Sequence, residues 1–267
     1  MATVSFDLDG VLIQNPFALG VFPRMRAHIR QNPLLRSHEA EDADELIDQA
    51  VREEWVARMV AGDFVAAYDW DSILAKVSRD FGGDGVPDVA SLVEQCCGEE
   101  GMIALLPGAR ECLEELREGG LKLVAATNGY RAYQWPVLSA LGIAELFEQV
   151  LSPESAGFAK PSPEYFAGVP DLIAHVGDTL EHDVLGANLA GLTSVWFAPR
   201  LAPSLRRLEP RERTAHSEFG PYLEAVLEGA LYREYHPAPA EAFVPDFVAS
   251  DLREIPGLLA RFFRAGY

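Results

Sequence analysis

Two aspartates lie two residues apart directly after a short apolar run, in the stretch Phe6-Asp7-Leu8-Asp9-Gly10. An Asp-Gly pair is also a turn signal, but a buried strand that ends in two carboxylates is typical of a site for a cation or for a reaction. Asp7, at the strand end, is placed to act as a nucleophile. Asp9, in the following loop, is placed to protonate a leaving oxygen and then to activate water.

A second pair of carboxylates follows another apolar run. Asp178 comes after Gly177 at a predicted strand end, and Asp183 lies five residues later, where a predicted helix begins. Two carboxylates ~4 Å apart repel each other by about 4 kcal/mol at an effective dielectric of ~20, so a cluster with Asp7 and Asp9 requires a cation. Oxygen ligands without histidine or cysteine favour a hard ion, and Mg²⁺ is the expected one where phosphate completes the coordination.

Two further segments are suited to an anion. Thr127 offers a hydroxyl, and Asn128-Gly129 offers backbone N–H groups ahead of a predicted helix. Lys160 lies just before a predicted helix start, where its ammonium can neutralise a transferring phosphoryl group. Thr-Asn-Gly is also common in turns, and a single lysine is usually a surface residue. Taken together with the aspartates, these segments predict phosphate binding by Thr127, Asn128 and Lys160.

The elements that must position these residues alternate between strand and helix patterns. Repeated β-α units with apolar strands predict an α/β fold with a parallel sheet and helices on both faces. The predicted strands lie at about 3–8, 121–127, 149–151, 172–176, 193–198 and 247–248. In such sheets ligands bind at the carboxyl ends of the strands. Asp7, Thr127 and Asp178 all follow strands, so we expect them to meet at one edge.

A long segment after the first strand has a different pattern. Residues 14–104 show helical stripes and no convincing strand, one of them with apolar residues every fourth position from Ile47 to Met59. We therefore predict a small all-helical domain at 14–104, inserted into a core formed by 1–13 and 105–267. Within the core, residues 200–240 are less regular, with one amphipathic helix predicted at about 222–231.

The composition limits the class of partner. The chain has 267 residues, 41 acidic and 22 basic, and a formal net charge of −19. Such a surface is poorly suited to nucleic acid or to an anionic membrane, and no apolar stretch approaches the ~18 residues needed to span a bilayer. The first residues lack a signal-peptide pattern, and three cysteines form no disulfide framework. We expect a cytoplasmic protein that binds a small molecule; its oligomeric state is left open.

The four segments, in this order, resemble the motifs of the haloacid dehalogenase-like hydrolase superfamily. The matching segments are Phe6 to Val11, Thr127-Asn128, Lys160-Pro161, and Gly177-Asp178 through Asp183. The resemblance covers about residues 3–200 and resumes near 246–259. It implies a Rossmann-like core, a helical cap inserted after the first motif, bound Mg²⁺ and chemistry through an aspartyl intermediate.

The resemblance also implies a role for each residue. Asp7 would be the nucleophile and a metal ligand, and Asp9 the acid/base and a ligand through its backbone carbonyl. Asp178 would bind the metal, and Asp183 would support the metal or Lys160. Thr127 and Lys160 would hold the phosphoryl oxygens.

Asp9 separates branches of the superfamily, because the dehalogenating members lack an acid/base aspartate at that position. Its presence favours phosphoryl transfer. The predicted function is Mg²⁺-dependent hydrolysis of a small phosphomonoester through an aspartyl-phosphate, with a nucleotidase among the candidates. A phosphomutase of sugar phosphates and a catalytically silent binding homologue are the alternatives.

Overall fold

The computed structural model describes residues 1–230 and 233–263. The chain forms two compact units. The first comprises Met1–Ile13, Leu105–Asn128 and Ile143–Tyr267, and the second comprises Gln14–Ala104 and Gly129–Gly142. The segment 129–142 thus groups with the helical unit, whereas the sequence pattern predicted it within the core.

A six-stranded parallel sheet forms the centre of the first unit, which has the predicted Rossmann-like α/β fold. The strands are β1 (Thr3–Phe6), β4 (Lys122–Ala126), β5 (Gln149–Leu151), β6 (Leu172–Gly177), β7 (Thr193–Phe197) and β8 (Phe247–Ala249). Their order in the sheet is β5-β4-β1-β6-β7-β8, so the predicted last strand is an edge strand. All four residues of β1 are buried, including the polar Thr3 and Ser5, since strands of parallel sheets are covered on both faces.

Helices of the first unit connect and cover these strands. They are α5 (Ala109–Glu118), α7 (Pro153–Ala156), α8 (Leu185–Leu189), α9 (Pro203–Arg206), α10 (Phe219–Glu228) and α11 (Ile255–Phe263). Helix α10 buries Phe219, Leu223 and Leu227, the spacing of four that the amphipathic pattern predicts. The last position predicted for this helix, residue 231, lies outside the described residues.

The second unit is helical, as predicted. Its α-helices are α1 (Phe22–Ile29), α2 (Ala40–Val60), α3 (Trp70–Asp80), α4 (Val89–Cys97) and α6 (Arg131–Ala140). Side-chain oxygens of Asp69 and Asp88 cap α3 and α4. Helix α6 packs against α4, and the Tyr133 hydroxyl donates to the Asp71 carboxylate at 2.9 Å, which joins α6 to α3.

Local details differ from the sequence predictions in two places. A short two-stranded sheet forms where the chain leaves and re-enters the first unit, from β2 (Ile13–Gln14) and β3 (Ala104–Leu105). The helix expected after Lys160 is a 3₁₀ turn, Pro163–Phe166, and the Ser162 hydroxyl before it donates to the Glu164 side chain and makes no cap hydrogen bond. Across residues 1–230 and 233–263, no helix combines the length and apolar character needed to cross a bilayer.

Candidate active site

Three neighbouring strands end at the candidate site. Asp7 follows β1, Thr127 follows β4 and Asp178 follows β6, and β1 lies between the other two in the sheet. Because all three strands are parallel, their carboxyl ends share one edge. The sequence-predicted residues therefore come from one edge of the sheet in the first unit.

Lys160 lies between two of the predicted carboxylates. Its ammonium nitrogen is 2.9 Å from an oxygen of Asp7 and 2.6 Å from an oxygen of Asp183. The Lys160 side chain is 2% exposed, so this lysine is a buried cation and not the surface residue that lysine usually is. A buried ammonium requires compensating negative charge, which the two carboxylates supply.

Asp183 accepts four hydrogen bonds. One oxygen accepts from the Lys160 ammonium at 2.6 Å and from His175 Nε2 at 2.9 Å. The other accepts from the backbone N–H and the hydroxyl of Thr179, at 3.0 and 2.7 Å. An ionised carboxylate has about four lone-pair positions, and these donors occupy them all.

This bonding decides the ionisation of Asp183. Burial opposes its charged form, but Lys160 and His175 outweigh burial and hold the pKa of Asp183 well below its ordinary range. Burial likewise lowers the pKa of the Lys160 ammonium, while Asp183 and Asp7 raise it by more, so its net pKa is raised. Asp183 and Lys160 therefore form a stable ion pair.

Asp7 and Asp178 behave differently. Burial, opposed by Lys160, raises the pKa of Asp7 to about 7, and burial together with the charge of Asp7 raises the pKa of Asp178 to about 8. Without a further cation, both carboxyls hold protons well above the usual range. A positive ion beside them would lower both values.

The donor set fits a hard divalent cation. Among the described residues, carboxylate oxygens of Asp7, Asp178 and Asp183 lie within 4.8 Å of one another. Gly10, with φ of +81°, makes room for this cluster, because a Cβ there would collide with an oxygen of Asp178. Oxygen-only ligands suit Mg²⁺, and since the Asp183 oxygens are already engaged, Asp7 and Asp178 are the better placed ligands.

The other predicted residues, Asp9, Thr127 and Asn128, belong to the same compact unit as this cluster. Asp9 is half-buried and starts a tight turn, in which its backbone bridges to Ile13; its carboxylate is not part of the three-aspartate group found among the described residues. Thr127 is buried, and its carbonyl accepts from the Tyr165 hydroxyl at 2.8 Å. The Asn128 side-chain amide makes two hydrogen bonds with the backbone of Lys160. Its Oδ1 accepts from the Lys160 N–H at 2.8 Å, and its Nδ2 donates to the Lys160 carbonyl at 3.1 Å.

Comparison with known proteins places the chain in a family. The model of one family, haloacid dehalogenase-like hydrolase, matches residues 1–191. The chain belongs to the haloacid dehalogenase-like hydrolases. The resemblance inferred from the four motifs is thereby confirmed.

Two curated relatives of this hydrolase-family chain are phosphatases. It is similar to a glyceraldehyde 3-phosphate phosphatase from Methanopyrus kandleri, 41% identical over 96 residues, which are 33% of this chain and 41% of that protein. It is also similar to a phosphoserine phosphatase from Thermus thermophilus, 36% identical over 155 residues, which are 55% of this chain and 60% of that protein. The chain thus spans about half the length of the curated relatives it matches.

The solved structures support the fold. A phosphatase of the same family from Thermococcus onnurineus matches with a TM-score of 0.62 and 21% identity, covering 97% of this chain and 98% of that chain. At this identity the match concerns the arrangement of elements only.

Three residues around the site were not predicted from the sequence. His175 and Thr179 bond to Asp183, and Tyr165 holds the carbonyl of Thr127. His175 had a usable signal, since it is a polar residue within the otherwise apolar strand β6. Tyr165 had none, because its contact spans 38 positions of the chain.

Proposed function

We propose that this haloacid dehalogenase-like hydrolase is a Mg²⁺-dependent phosphatase that acts on a small phosphomonoester through an aspartyl-phosphate. The observation that supports this most is the row Asp7–Lys160–Asp183 at the carboxyl edge of the sheet, in which Lys160 and Asp183 are buried and Asp7 is partly exposed. It combines a carboxylate at a strand end with a fixed ammonium beside it. The names of the two phosphatase relatives are consistent with the same reaction class.

The proposed first step transfers the phosphoryl group to the protein. A carboxylate oxygen of Asp7 forms a bond to phosphorus while the bond from phosphorus to the ester oxygen breaks. Asp9 donates a proton to the departing oxygen, so that an alcohol leaves. Lys160 and Thr127 bind the non-bridging phosphoryl oxygens, and the ammonium offsets their charge.

The second step releases phosphate. Asp9, now ionised, takes a proton from a water molecule, whose oxygen attacks phosphorus and frees the Asp7 carboxylate. Asp7 and Asp178 are the residues that would hold Mg²⁺. When bound, this ion supplies positive charge that keeps both carboxylates ionised.

The test is a panel of sugar phosphates, nucleotides and small phospho-acids, assayed for phosphate release with Mg²⁺ and with a chelator. We expect release from at least one substrate, dependent on Mg²⁺, and a fall in kcat of at least about 1,000-fold in Asp7→Asn, because an amide is not a nucleophile. Isomerised sugar phosphate without free phosphate would indicate the phosphomutase. A wild-type rate in folded Asp7→Asn would contradict the proposed nucleophile.

A further inference from the structure

A buried histidine continues the row of charged side chains behind the site. His175 lies on β6 with its side chain fully buried, and its Nε2 is 2.9 Å from the same Asp183 oxygen that binds the Lys160 ammonium. On its other side, His175 Nδ1 is 2.8 Å from the Ser5 hydroxyl. Four side chains therefore form a connected series of hydrogen bonds from β1 to the Lys160 ammonium, in the order Ser5, His175, Asp183 and Lys160.

The hydrogen-bond roles follow from the chemistry of the partners. An ionised carboxylate only accepts, so His175 Nε2 carries the proton that it shares with Asp183. The neutral ring then accepts at Nδ1, and the Ser5 hydroxyl donates to it. The alternative acceptor for Ser5, the carbonyl of Ala174, is farther away at 3.4 Å. Ser5 thus selects the tautomer of His175 that can hold Asp183.

This series of hydrogen bonds fixes the position of the Lys160 ammonium. The backbone of Lys160 is held by the Asn128 amide, but that contact does not orient the side chain. The side chain is aimed by Asp183, and Asp183 lies in the turn Leu180–Val184, outside the sheet. The bond from His175 ties this turn to a central strand, because β6 pairs with both β1 and β7.

We propose that His175 is a positioning residue for the phosphoryl-transfer reaction, which fixes Asp183 and through it the ammonium of Lys160. This inference rests on the proposed function, because it assigns His175 a part in that same site. Without the His175 donor, the Asp183 oxygen that both groups share accepts from Lys160 and no longer from His175. The other Asp183 oxygen still accepts from Thr179, which lies after the end of β6, so the carboxylate loses the bond that joins it to this strand. The Lys160 ammonium is then held less firmly in the geometry that meets the phosphoryl oxygens.

The variant His175→Phe isolates this role. Phenylalanine keeps a ring of similar size against Phe166, whose ring centroid is 5.0 Å from that of His175, and removes both nitrogens. We expect kcat to fall by about 10- to 100-fold, as is typical when a group that orients a functional side chain is lost, with KM changed by less than about threefold. His175→Gln, which keeps an N–H donor near the Nε2 position, should recover most of the rate.

The matched control is Ser194→Ala. Ser194 is the register partner of His175 on β7, is also fully buried, and accepts a hydrogen bond from the backbone of Asp246 at 3.0 Å. Its loss should lower Tm and leave kcat unchanged. A His175→Phe variant that behaves like Ser194→Ala, with lowered Tm and wild-type kcat, would overturn the proposal. So would a folded His175→Gln that is no faster than His175→Phe.

A second readout is independent of turnover. The ¹H–¹⁵N NMR signal of a buried, bonded lysine ammonium reports its surroundings directly. We expect the Lys160 signal to shift or broaden in His175→Phe and in Ser5→Ala, and to stay in place in Ser194→Ala. Ser5→Ala serves as the test where His175→Phe does not fold. An unchanged Lys160 signal in the folded variants would overturn the positioning role, whereas a wild-type protein inactive on the whole panel would contradict only the proposed function.

Discussion

At the scale of single residues, Lys160 separates two carboxylates with different properties. Asp183 receives four hydrogen bonds and its pKa is held well below the ordinary range, so it is the permanent counter-ion of the buried ammonium. Asp7 shares the same ammonium at 2.9 Å but has a raised pKa. One aspartate is therefore committed to holding the lysine, and the other stays available for reaction.

The residue with the most specific proposed task is Asp9, and we predict that Asp9→Asn acts differently on different leaving groups. For an alkyl phosphate, kcat should fall by about 100- to 10,000-fold, because the leaving oxygen needs a proton. For 4-nitrophenyl phosphate, whose leaving group departs without a proton, the first step should be less affected. Rapid mixing should then show a burst of one 4-nitrophenolate per protein, followed by slow turnover.

The control for this prediction is Asp171→Asn. Asp171 lies at the opposite end of β6, with φ of 53°, a backbone conformation that asparagine tolerates as well as aspartate. This variant should keep both steps at wild-type rates. Equal loss of rate for alkyl and aryl esters in Asp9→Asn would contradict the acid/base role.

At the scale of elements, the end of β6 determines how closely the Asp183 turn approaches the sheet. Gly177 closes this strand, and a Cβ at that position would collide with the Asp183 side chain. The absence of a side chain is therefore required for the bonds from Asp183 to His175 and Lys160. The lack of a side chain at this strand end thus permits the contacts that Asp183 makes with His175 and Lys160.

We predict that Gly177→Ala displaces Asp183 and lowers kcat at least 10-fold, with a loss of about 1–3 kcal/mol in the free energy of unfolding from overpacking. Gly168→Ala is the matched control, since nothing lies within 4 Å of a Cβ built there. Kinetics and urea denaturation of both variants check this. Wild-type kcat in Gly177→Ala would show that the Asp183 position is not critical.

A second element-scale feature anchors the less regular segment 200–240. Arg213 is buried and donates to both oxygens of Glu254, at 2.6 and 2.9 Å. It also donates to the carbonyls of Val248 at 3.0 Å and Arg206 at 3.2 Å. One side chain therefore joins this segment to the edge strand β8 and to the start of α11.

We predict that Arg213→Met lowers the free energy of unfolding by about 3–5 kcal/mol, the usual cost of breaking a buried ion pair. Arg253→Met, which removes an arginine that is 68% exposed and paired with Asp251, should cost much less, because solvent screens an exposed ion pair. Chemical denaturation of the two variants provides the comparison. Equal losses in the free energy of unfolding would mean that burial does not strengthen the contribution of Arg213 to stability.

At the scale of the whole molecule, the charge of the site contrasts with that of the chain. The chain has a formal net charge of −19, so its general surface repels an anionic substrate. Attraction must come from local positive charge, which Lys160 and a bound cation would provide. All the predicted site residues belong to the first compact unit.

Metal binding by Asp7 and Asp178 should change how the free energy of unfolding depends on pH, because both carboxyls have raised pKa values. Burial raises the pKa of Asp7 from 3.8 to about 7 and that of Asp178 from 3.8 to about 8. Between about pH 4 and 8 the metal-free folded state thus binds more protons than the unfolded chain, and stability falls as pH rises. The lowered pKa of Asp183 acts in the opposite direction, but its contribution is lost only in strong acid, as pH falls below 3.8.

We predict that Mg²⁺ raises Tm more at pH 8 than at pH 5.5, because protons compete with it at the lower pH. At about 100 times its Kd, the increase at pH 8 should be roughly 5–10 °C. Asp178→Asn should reduce the increase. An equal Mg²⁺ effect at both pH values would contradict the assignment of Asp7 and Asp178 as ligands.

The sequence alone determined the family, the α/β fold and the order of the main elements. Each of these follows from local information: apolar runs and helical spacing define the elements, and the four motifs are short and contiguous. The approach of Asp7, Asp178 and Asp183 was also predictable, because parallel strands share a carboxyl edge. The roles of Asp7, Asp9, Thr127, Asn128 and Lys160 in catalysis stay predictions.

Only the tertiary structure decided which side chains pair with each charged group. The resemblance implied that Asp183 supports the metal or Lys160, and the structure pairs it with Lys160. The sequence did not indicate that Lys160 is buried and also contacts Asp7, that His175 bonds to Asp183, or that α6 packs with the inserted helices. These contacts join residues far apart in the chain, and their strength depends on burial. Hydrogen bonding and pKa are set by the surroundings of a side chain in the folded state, which spacing along the sequence does not specify.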